Sequence, residues 1–169
     1  MDIEIRQIRL SDADSYRDCL DSVAKERRYL AQVEALPIDR IRSFITNTVE
    51  NDAAQYVAIT HGNVVGWCDI FAHWAYALTH VGTLGMGIHS DYRHQGLGTR
   101  LIEATLSHAL RMGIYRVTLE ARSDNTSAIR LYERVGFKHE ATTKAALRFD
   151  GVFYQGVQMS LLQGPASVA

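Results

Sequence analysis

The most constraining feature of this sequence is a glycine-containing turn that runs directly into an amphipathic helix. The turn spans Arg93–Gly98 and reads Arg-His-Gln-Gly-Leu-Gly, and the helical periodicity follows over Thr99–Met112. Two glycines at i and i+2 allow a tight turn and a close approach of backbone N–H groups to a ligand. The first N–H groups of a helix have no intrahelical partner, and the helix dipole makes this end positive. The segment therefore predicts an anion site, usually for phosphate.

Two better-known phosphate motifs do not fit the sequence. It contains no Gly-x-x-x-x-Gly-Lys-Ser/Thr, and Gly85-Met86-Gly87 lacks the later glycine of a dinucleotide motif. Arg93 adds a forked cationic donor that suits phosphate oxygens. These features favour a phosphate-bearing cofactor other than a nucleoside triphosphate or a nicotinamide. The alternative is a structural turn before a helix.

A second segment, downstream of the strand-like run Tyr115–Ala121, has both ends of a short helix marked. Asn125 is a good N-cap and Gly136 a good C-terminal stop, which predicts a helix over about 126–135. Between them the chain reads Thr-Ser-Ala-Ile-Arg-Leu-Tyr-Glu-Arg-Val, and Phe137 follows the glycine.

Together the two segments resemble the GCN5-related N-acetyltransferase superfamily, whose members use acetyl-CoA. That family carries Arg/Gln-x-x-Gly-x-Gly/Ala before its pyrophosphate-binding helix. About thirty residues later it has Asn-x-x-Ala/Ser-x-x-Leu-Tyr/Phe-x-x-x-Gly-Phe. Both motifs occur here in the right order, and the specific part of the resemblance covers Leu84–Phe137. The nearest members in kind are ribosomal-protein and small-amine N-acetyltransferases.

The resemblance implies a mixed α/β fold. Its parts are a twisted mixed sheet of six to seven strands, splayed between strands 4 and 5, and about four flanking helices. The hydrophobic pattern agrees, since two predicted hairpins, at His61-Gly62-Asn63 and at Asp150-Gly151, bracket a strand–helix–strand unit. We expect one domain over 1–163 and a disordered tail over 164–169.

Composition narrows the function classes. The chain has 169 residues and a net charge of −1, which argues against a nucleic-acid surface or a membrane patch. No basic and apolar leader opens the sequence, and Cys19 and Cys68 suit a reduced cytoplasmic protein. The histidines lack paired ligand spacing, so we expect no metal.

Acetyl transfer to an amine needs a neutral nitrogen, and an alkyl ammonium has a pKa of about 10.4. A base must therefore remove a proton. Glu120 is the candidate base, because Val117, Leu119 and Ala121 share one strand face while Glu120 points the other way. By resemblance, relatives that acetylate protein N termini have a Glu at this spacing from a Tyr. The alternative is a solvated or salt-bridged side chain.

The resemblance makes Tyr132 the general acid that protonates the leaving thiolate. Its ordinary pKa of about 10 keeps the hydroxyl protonated at neutral pH. The alternative is an aromatic ring that only packs on its helix.

The resemblance also implies the acetyl-CoA contacts. The pyrophosphate would meet the turn and the helix start, Asn125 would reach the pantetheine arm, and Met86 and Ile88 would lie on a bulged strand. We hypothesise that the Ile88 N–H stabilises the oxyanion. The alternative for this strand is an ordinary strand ending in a glycine-rich turn. The complete cofactor-binding set is Met86, Ile88, Arg93, His94, Gln95, Gly96, Leu97, Gly98, Thr99, Asn125 and Tyr132.

The acceptor side is only weakly specified. Trp67, Trp74 and Tyr76 belong to an aromatic group expected around the turn between the third and fourth strands. The resemblance implies that Tyr29 and the stretch 26–34 form the opposite lip, because the family's first helical connection lies over the acceptor cleft. Such a wall suits an amine, and the alternative is loop packing. The acceptor remains open between a protein N terminus, an amino acid, a polyamine and a drug-like amine.

A cofactor site of this kind does not by itself require an enzyme. The alternative is a non-catalytic module that binds acyl-CoA and regulates a partner. A homodimer is also expected from the resemblance, with Val152–Leu161 as the edge strand that pairs.

Overall fold

The computed structural model describes residues 2–164, so the predicted tail from 165 to 169 lies outside the described residues. The described chain forms seven strands and four α-helices in the order β1 Glu4–Gln7, α1 Ala13–Lys25, α2 Ile38–Glu50, β2 Ala54–Thr60, β3 Asn63–Ala72, β4 Val81–Ile88, α3 Leu97–Arg111, β5 Arg116–Arg122, α4 Thr126–Val135, β6 Lys138–Phe149 and β7 Val152–Leu162. The mixed α/β architecture predicted from the sequence is confirmed.

The strands form one sheet in the order β1-β2-β3-β4-β5-β7-β6. All neighbours are antiparallel except β4 and β5, which run parallel and pair only over Val81–Thr83 and Arg116–Thr118. Beyond this short ladder the two strands separate toward their carboxyl ends. The predicted splay between the fourth and fifth strands is therefore confirmed, and it opens the middle of the sheet.

Both predicted hairpins are present, and their turns explain why. His61 and Gly62 have φ of 49° and 76°, and Asp150 and Gly151 have φ of 50° and 83°. Two consecutive positive φ values are typical of the tight turns whose twist matches that of paired strands.

The prediction of Val152–Leu161 as an edge strand is wrong. β7 lies between β5 and β6, so its backbone is paired on both sides, and β6 forms the edge. The chain passes through β6 at the edge and then returns, so that β7 rather than β6 pairs with β5. A dimer formed by strand pairing at this end would therefore use Lys138–Phe149.

Helices cover both faces of the sheet. On one face α3 buries Leu101, Ile102 and Ala109 completely against the strands. On the other face α1 and α2 bury Val23 and Ile45. Burial of each large aliphatic side chain stabilises the fold by about 1.5–3 kcal/mol.

Trp67 belongs to the core on the α1 face and not to a surface aromatic wall. Its side chain is 3% exposed and packs edge-on against Tyr16, with ring centroids 5.8 Å apart. The ring also covers Gly87 of β4, where an added Cβ would stand 2.6 Å from Trp67 Cζ3. The sequence prediction was wrong because Trp67 lies mid-strand, ahead of the turn.

Candidate active site

A cleft of about 360 Å³ opens where β4 and β5 separate. The loop after α1, the start of α3 and one face of α4 complete its walls. It is lined by Val23, Tyr29, Leu30, Ala31, Leu84, Gly85, Met86, Gly87, Ile88, Arg93, His94, Gly96, Leu97, Gly98, Thr99, Leu119, Glu120, Ala121, Asn125, Ser127, Ala128, Leu131, Tyr132 and Arg134. Most of the residues predicted for cofactor binding or catalysis therefore meet in one place.

The start of α3 presents free backbone donors to this cleft. The helix begins at Leu97, two residues before the predicted start, and the N–H of Arg100 donates to Gly96 O at 3.3 Å. Among the backbone contacts of residues 2–164, the N–H groups of Leu97, Gly98 and Thr99 find no acceptor outside the helix. The first turn contains no acidic side chain. These donors and the helix dipole together favour an anion here.

The two glycines of the turn act differently. Gly96 caps the helix with φ of 78°, and an added Cβ would meet nothing within 4 Å. Gly98 is already helical, and an added Cβ would stand 2.6 Å from Leu131 Cδ2 of α4. Gly96 is therefore needed for its left-handed conformation, whereas Gly98 is needed for the close approach of α3 to α4.

Arg93 is held firmly at the cleft wall. Its Nε donates to Ile88 O at 2.8 Å, and its Nη1 donates to Glu26 Oε2 at 2.9 Å. The guanidinium also lies over the Tyr29 ring, 4.8 Å from the centroid. The hydrogen bond to Glu26 raises the pKa of Arg93 above its ordinary value. Glu26 thus fixes this cation and also neutralises part of its charge.

Gln95 is the predicted cofactor contact that does not line the cleft. Its Nε2 donates to Asp91 O at 3.1 Å and so ties the turn to the preceding residues. The neighbouring His94 lines the cleft with φ of 60°, a left-handed conformation for a non-glycine residue.

The predicted bulge around Met86 and Ile88 is wrong. Strand β4 pairs with β3 in one continuous register from Gly82 opposite Ala72 to Ile88 opposite Gly66. The edge of β4 becomes open in another way, because β5 leaves it after Thr83. Met86 and Ile88 line the cleft from this open edge.

Glu120 lies on the cleft face of β5. The predicted alternation is confirmed, since Val117, Leu119 and Ala121 are buried and Glu120 is exposed. None of the ion pairs within residues 2–164 involves Glu120. Its carboxyl group rests on β7, where a Cβ added at Gly156 would stand 2.8 Å from Glu120 Cδ.

Tyr132 and Asn125 are positioned by α4. Asn125 Oδ1 accepts from the N–H of Ala128 at 3.3 Å, so the predicted N-cap is confirmed. The predicted stop is confirmed too, because Gly136 ends the helix with φ of 116°. The Tyr132 ring packs edge-on against Phe137 with centroids 5.8 Å apart, and burial raises the pKa of its hydroxyl well above the ordinary value. The phenol therefore stays protonated over the physiological range.

The residues predicted for the acceptor side divide into two groups. Tyr29 lines the cleft in the loop after α1, next to Leu30 and Ala31. Trp74 and Tyr76 are 89% and 95% exposed in the connection between β3 and β4, and they do not line the cleft. That connection follows Ala72 of β3, which pairs with Gly82 in the part of β4 that is still joined to β5. It therefore lies at the end of the sheet away from the open part of β4.

Leu30 and Ala31 belong to the stretch 26–34 that the resemblance placed on the opposite lip, and they line the cleft together with Tyr29. Sequence reasoning assigned no role to one further cleft residue. Arg134 brings a second cation to the cleft from the last turn of α4. The one available signal was its place two residues after Tyr132 within the quoted motif.

Within residues 2–164, no helix is both long and apolar enough to cross a membrane. The same residues contain no group of three His, Cys, Asp or Glu side chains arranged to hold a metal ion.

Comparisons with known proteins agree on one family. The model of the Acetyltransferase (GNAT) family matches residues 16–137. An N-alpha-acetyltransferase from Sulfurisphaera tokodaii is 32% identical over 143 residues, which are 79% of this chain and 79% of that protein. A ribosomal protein bS18-alanine N-acetyltransferase from Escherichia coli K12 is 39% identical over 41% of this chain and 50% of that enzyme. The structure of an acetyltransferase from Salmonella typhimurium with its cofactor acetyl-CoA has the same fold, with a TM-score of 0.91 and 16% identity over 98% of this chain and 96% of that chain.

Proposed function

The chain belongs to the acetyltransferase (GNAT) family of N-acetyltransferases, and we propose that it transfers acetyl from acetyl-CoA directly to the N-terminal amine of a protein or peptide. One observation carries the proposal. The free amides at the start of α3 open into the same cleft as Glu120 and Tyr132. Anion binding and proton transfer are thereby combined at the gap between β4 and β5.

The residues present fit coenzyme A. The amides of Leu97, Gly98 and Thr99 would donate to the diphosphate, and Arg93 and Arg134 would balance its charge. The turn before these amides would be shaped by His94, Gln95 and Gly96, so that the N–H groups point into the cleft. The Salmonella typhimurium structure, which has the same fold and contains acetyl-CoA, supports this choice of ligand.

The pantetheine arm would pass between the separated strands. The open edge of β4 at Met86 and Ile88 offers backbone groups for its amides. Asn125 uses its side-chain oxygen as a cap, which leaves its amide nitrogen to donate. The N–H of Ile88 would stabilise the oxyanion that forms on the acetyl group during transfer.

Bound acetyl-CoA supplies an acetyl group activated as a thioester. Glu120 would accept a proton from the incoming ammonium group at the mouth of the gap, because it is exposed to the cleft and has no cationic partner in residues 2–164. Tyr132 would give its proton to the departing thiolate, since burial keeps its hydroxyl protonated. No covalent bond to the enzyme is needed.

The named relatives support a protein N terminus as the acceptor. An α-amino group has an ordinary pKa of about 7.7–8.0, so it loses its proton more readily than a lysine side chain. Tyr29, Leu30 and Ala31 would contact the first residues of the acceptor from the loop after α1. The two cysteines are unpaired and buried, which supports action in the reducing cytoplasm.

A thiol-release assay over a panel of amines tests the proposal. The panel contains peptides with free and with blocked N termini, a polyamine, single amino acids and an aminoglycoside. We expect free-amine peptides to be acetylated and blocked peptides to be inert. If another amine were acetylated faster, that amine would replace the peptide N terminus as the proposed acceptor, and the proposed acetyl transfer would stand.

Calorimetric titration with acetyl-CoA in parallel separates binding from catalysis. Micromolar binding without thiol release on any amine would favour a non-catalytic acyl-CoA-binding module. No binding at all would contradict the assignment of the α3 amides.

A further inference from the structure

A carboxylate without an assigned role lies beside the floor of the cleft. Asp69 of β3 stands opposite Gly85 of β4 on one side and opposite Gln55 of β2 on the other. Its side chain occupies the space that Gly85 leaves free, because a Cβ added at Gly85 would stand 3.0 Å from Asp69 Oδ1. Gly85 itself lines the cleft. Asp69 is therefore adjacent to the point where the sheet opens.

Asp69 and Glu120 lie on the same face of the sheet. Cys68 and Leu119 belong to the core beneath α3, so the residues that follow them along each strand face α1. The parallel register pairs Thr83 with Thr118. Continuing this register by two residues sets Gly85 level with Glu120 across the gap. The two carboxyl groups thus flank a glycine floor from opposite sides.

Within residues 2–164, no cationic side chain pairs with Asp69. The ion pairs of residues 2–164 do not include it, and the backbone N–H of Gly85 is the one group that favours its charged form. The titratable group facing it is the phenol of Tyr16 on α1, whose pKa is raised by burial and by the negative charge of Asp69. The thiol of Cys68 precedes Asp69 on β3 but points to the α3 face, and burial together with the same charge raises its pKa. Burial raises the pKa of Asp69 to about 7.

Asp69 is half-buried, and a carboxylate that is partly removed from water and has no counter-ion is costly unless a cation or a proton compensates its charge. The carboxyl group lies against Gly85, and Gly85 lines the cleft. A cation can therefore approach Asp69 from the cleft. An ammonium group that arrives over Gly85 would supply the missing charge.

We propose that Asp69 is a second proton acceptor for the acceptor amine, which binds over Gly85 between Asp69 and Glu120. The ammonium N–H bond breaks, and the proton passes through a water molecule over Gly85 to the Asp69 carboxylate. The nitrogen keeps the electron pair and becomes the nucleophile, and the Asp69 carboxyl group later returns the proton to solvent. The inference rests on the proposed amine acetylation and adds a specific residue to it.

The test compares Asp69→Asn with wild type as a function of pH, using a free-amine peptide and saturating acetyl-CoA. Asparagine keeps the size and the acceptor for the Gly85 N–H, but it takes no proton. We expect kcat/KM at pH 7 to fall about 100-fold, a usual share for one acid–base group. The deficit should shrink to a few-fold at about pH 9.5, where the α-amine is already neutral.

Two controls isolate the effect. Asp18→Asn removes an exposed carboxylate from the outer face of α1 and should leave the profile unchanged. Calorimetry should give Asp69→Asn the wild-type affinity for acetyl-CoA, because Asp69 is not among the residues proposed to hold coenzyme A. A loss that is equal at every pH would mean a purely structural role and would overturn the inference.

A measurement on the wild-type protein tests the inference even if the Asp69→Asn variant does not fold. Infrared difference titration should show a protonated carboxyl band that disappears near pH 7, the region expected for Asp69. A carboxyl that ionises wholly below about pH 5, as an ordinary aspartate does, would overturn the inference. Wild type that acetylates no amine would instead remove the proposed function, and this inference with it, while the infrared band would still be seen.

Discussion

At the residue scale, two side chains in one cleft differ in how the fold prepares them. Tyr132 is buried on a capped helix, and its hydroxyl is kept protonated by its surroundings. Glu120 is exposed on the open strand and owes its position to the missing side chain of Gly156 on the next strand. Burial therefore sets the protonation state of Tyr132, whereas the space above Gly156 sets the position of Glu120.

The first prediction concerns Tyr132→Phe. Phenylalanine keeps the ring contact with Phe137 but has no proton for the departing thiolate. We expect kcat to fall by about 100-fold or more, with acetyl-CoA affinity within a few-fold of wild type. Steady-state kinetics and calorimetric titration measure the two effects. Unchanged turnover would remove Tyr132 from the chemistry.

The second prediction concerns Gly156→Ala, a change outside the cleft lining. The added methyl group would stand 2.8 Å from Glu120 Cδ and 2.9 Å from Ala146 Cβ, so the carboxylate must move. We expect kcat/KM to fall by about tenfold, since small misplacement of a reacting group is costly. In a Glu120→Ala background the same change should add almost nothing. Additive losses in this double-mutant cycle would show that Gly156 acts independently of Glu120.

At the element scale, the contact between α3 and α4 joins the two motifs that first indicated a cofactor site. Both helices face the cleft, and they meet where Gly98 lies against Leu131. The start of α3 supplies free amides, and α4 carries Asn125 and Tyr132. The distance between the helices therefore sets the relation between the anion site and the acid.

The third prediction tests this contact with Gly98→Ala. The new Cβ would stand 2.6 Å from Leu131 Cδ2, so α4 or its side chain must shift. We expect a loss of about 1–3 kcal/mol in unfolding free energy and weaker binding of acetyl-CoA. Trimming the partner in the double variant Gly98→Ala, Leu131→Ala should restore much of the affinity. Denaturant melts and calorimetry provide the readouts, and full stability of the single variant would contradict the close approach.

At the scale of the whole molecule, local patterns predicted elements well and long-range placement poorly. The hairpin turns, the Asn125 cap and the Gly136 stop were predictable because each is decided by a few neighbouring residues. The place of β7 inside the sheet was not, since either strand of a hairpin satisfies the same alternation. Asp69 gave no signal either, because the space for its carboxyl group is left by Gly85, which lies in another strand.

The fourth prediction is that the ionisation of Asp69 makes the free energy of unfolding depend on pH. The ordinary pKa of Asp69 is 3.8, and burial raises it to about 7 in the folded protein. Between these values the folded state binds more protons than the unfolded state, so the free energy of unfolding should rise as the pH falls from about 8 to about 4. The gain should be on the order of 2–4 kcal/mol. Below this range the trend reverses, because hydrogen bonds from Arg116 and Ser160 lower the pKa of Glu140 to about 2 and its stabilising charge is lost in acid.

Urea denaturation of wild type and Asp69→Asn across this pH range measures the effect. The variant should be the more stable protein at pH 8, where the wild type must bury a charge that asparagine lacks. Its curve should be nearly flat from pH 7 to pH 4 and should then fall with that of wild type, because the contacts of Glu140 remain. The difference between the two curves therefore isolates the ionisation of Asp69 from the rest of the acid transition. Parallel curves would mean that the folded protein does not raise the pKa of the Asp69 carboxyl group, and the proton acceptor proposed beside Gly85 would lose its physical basis.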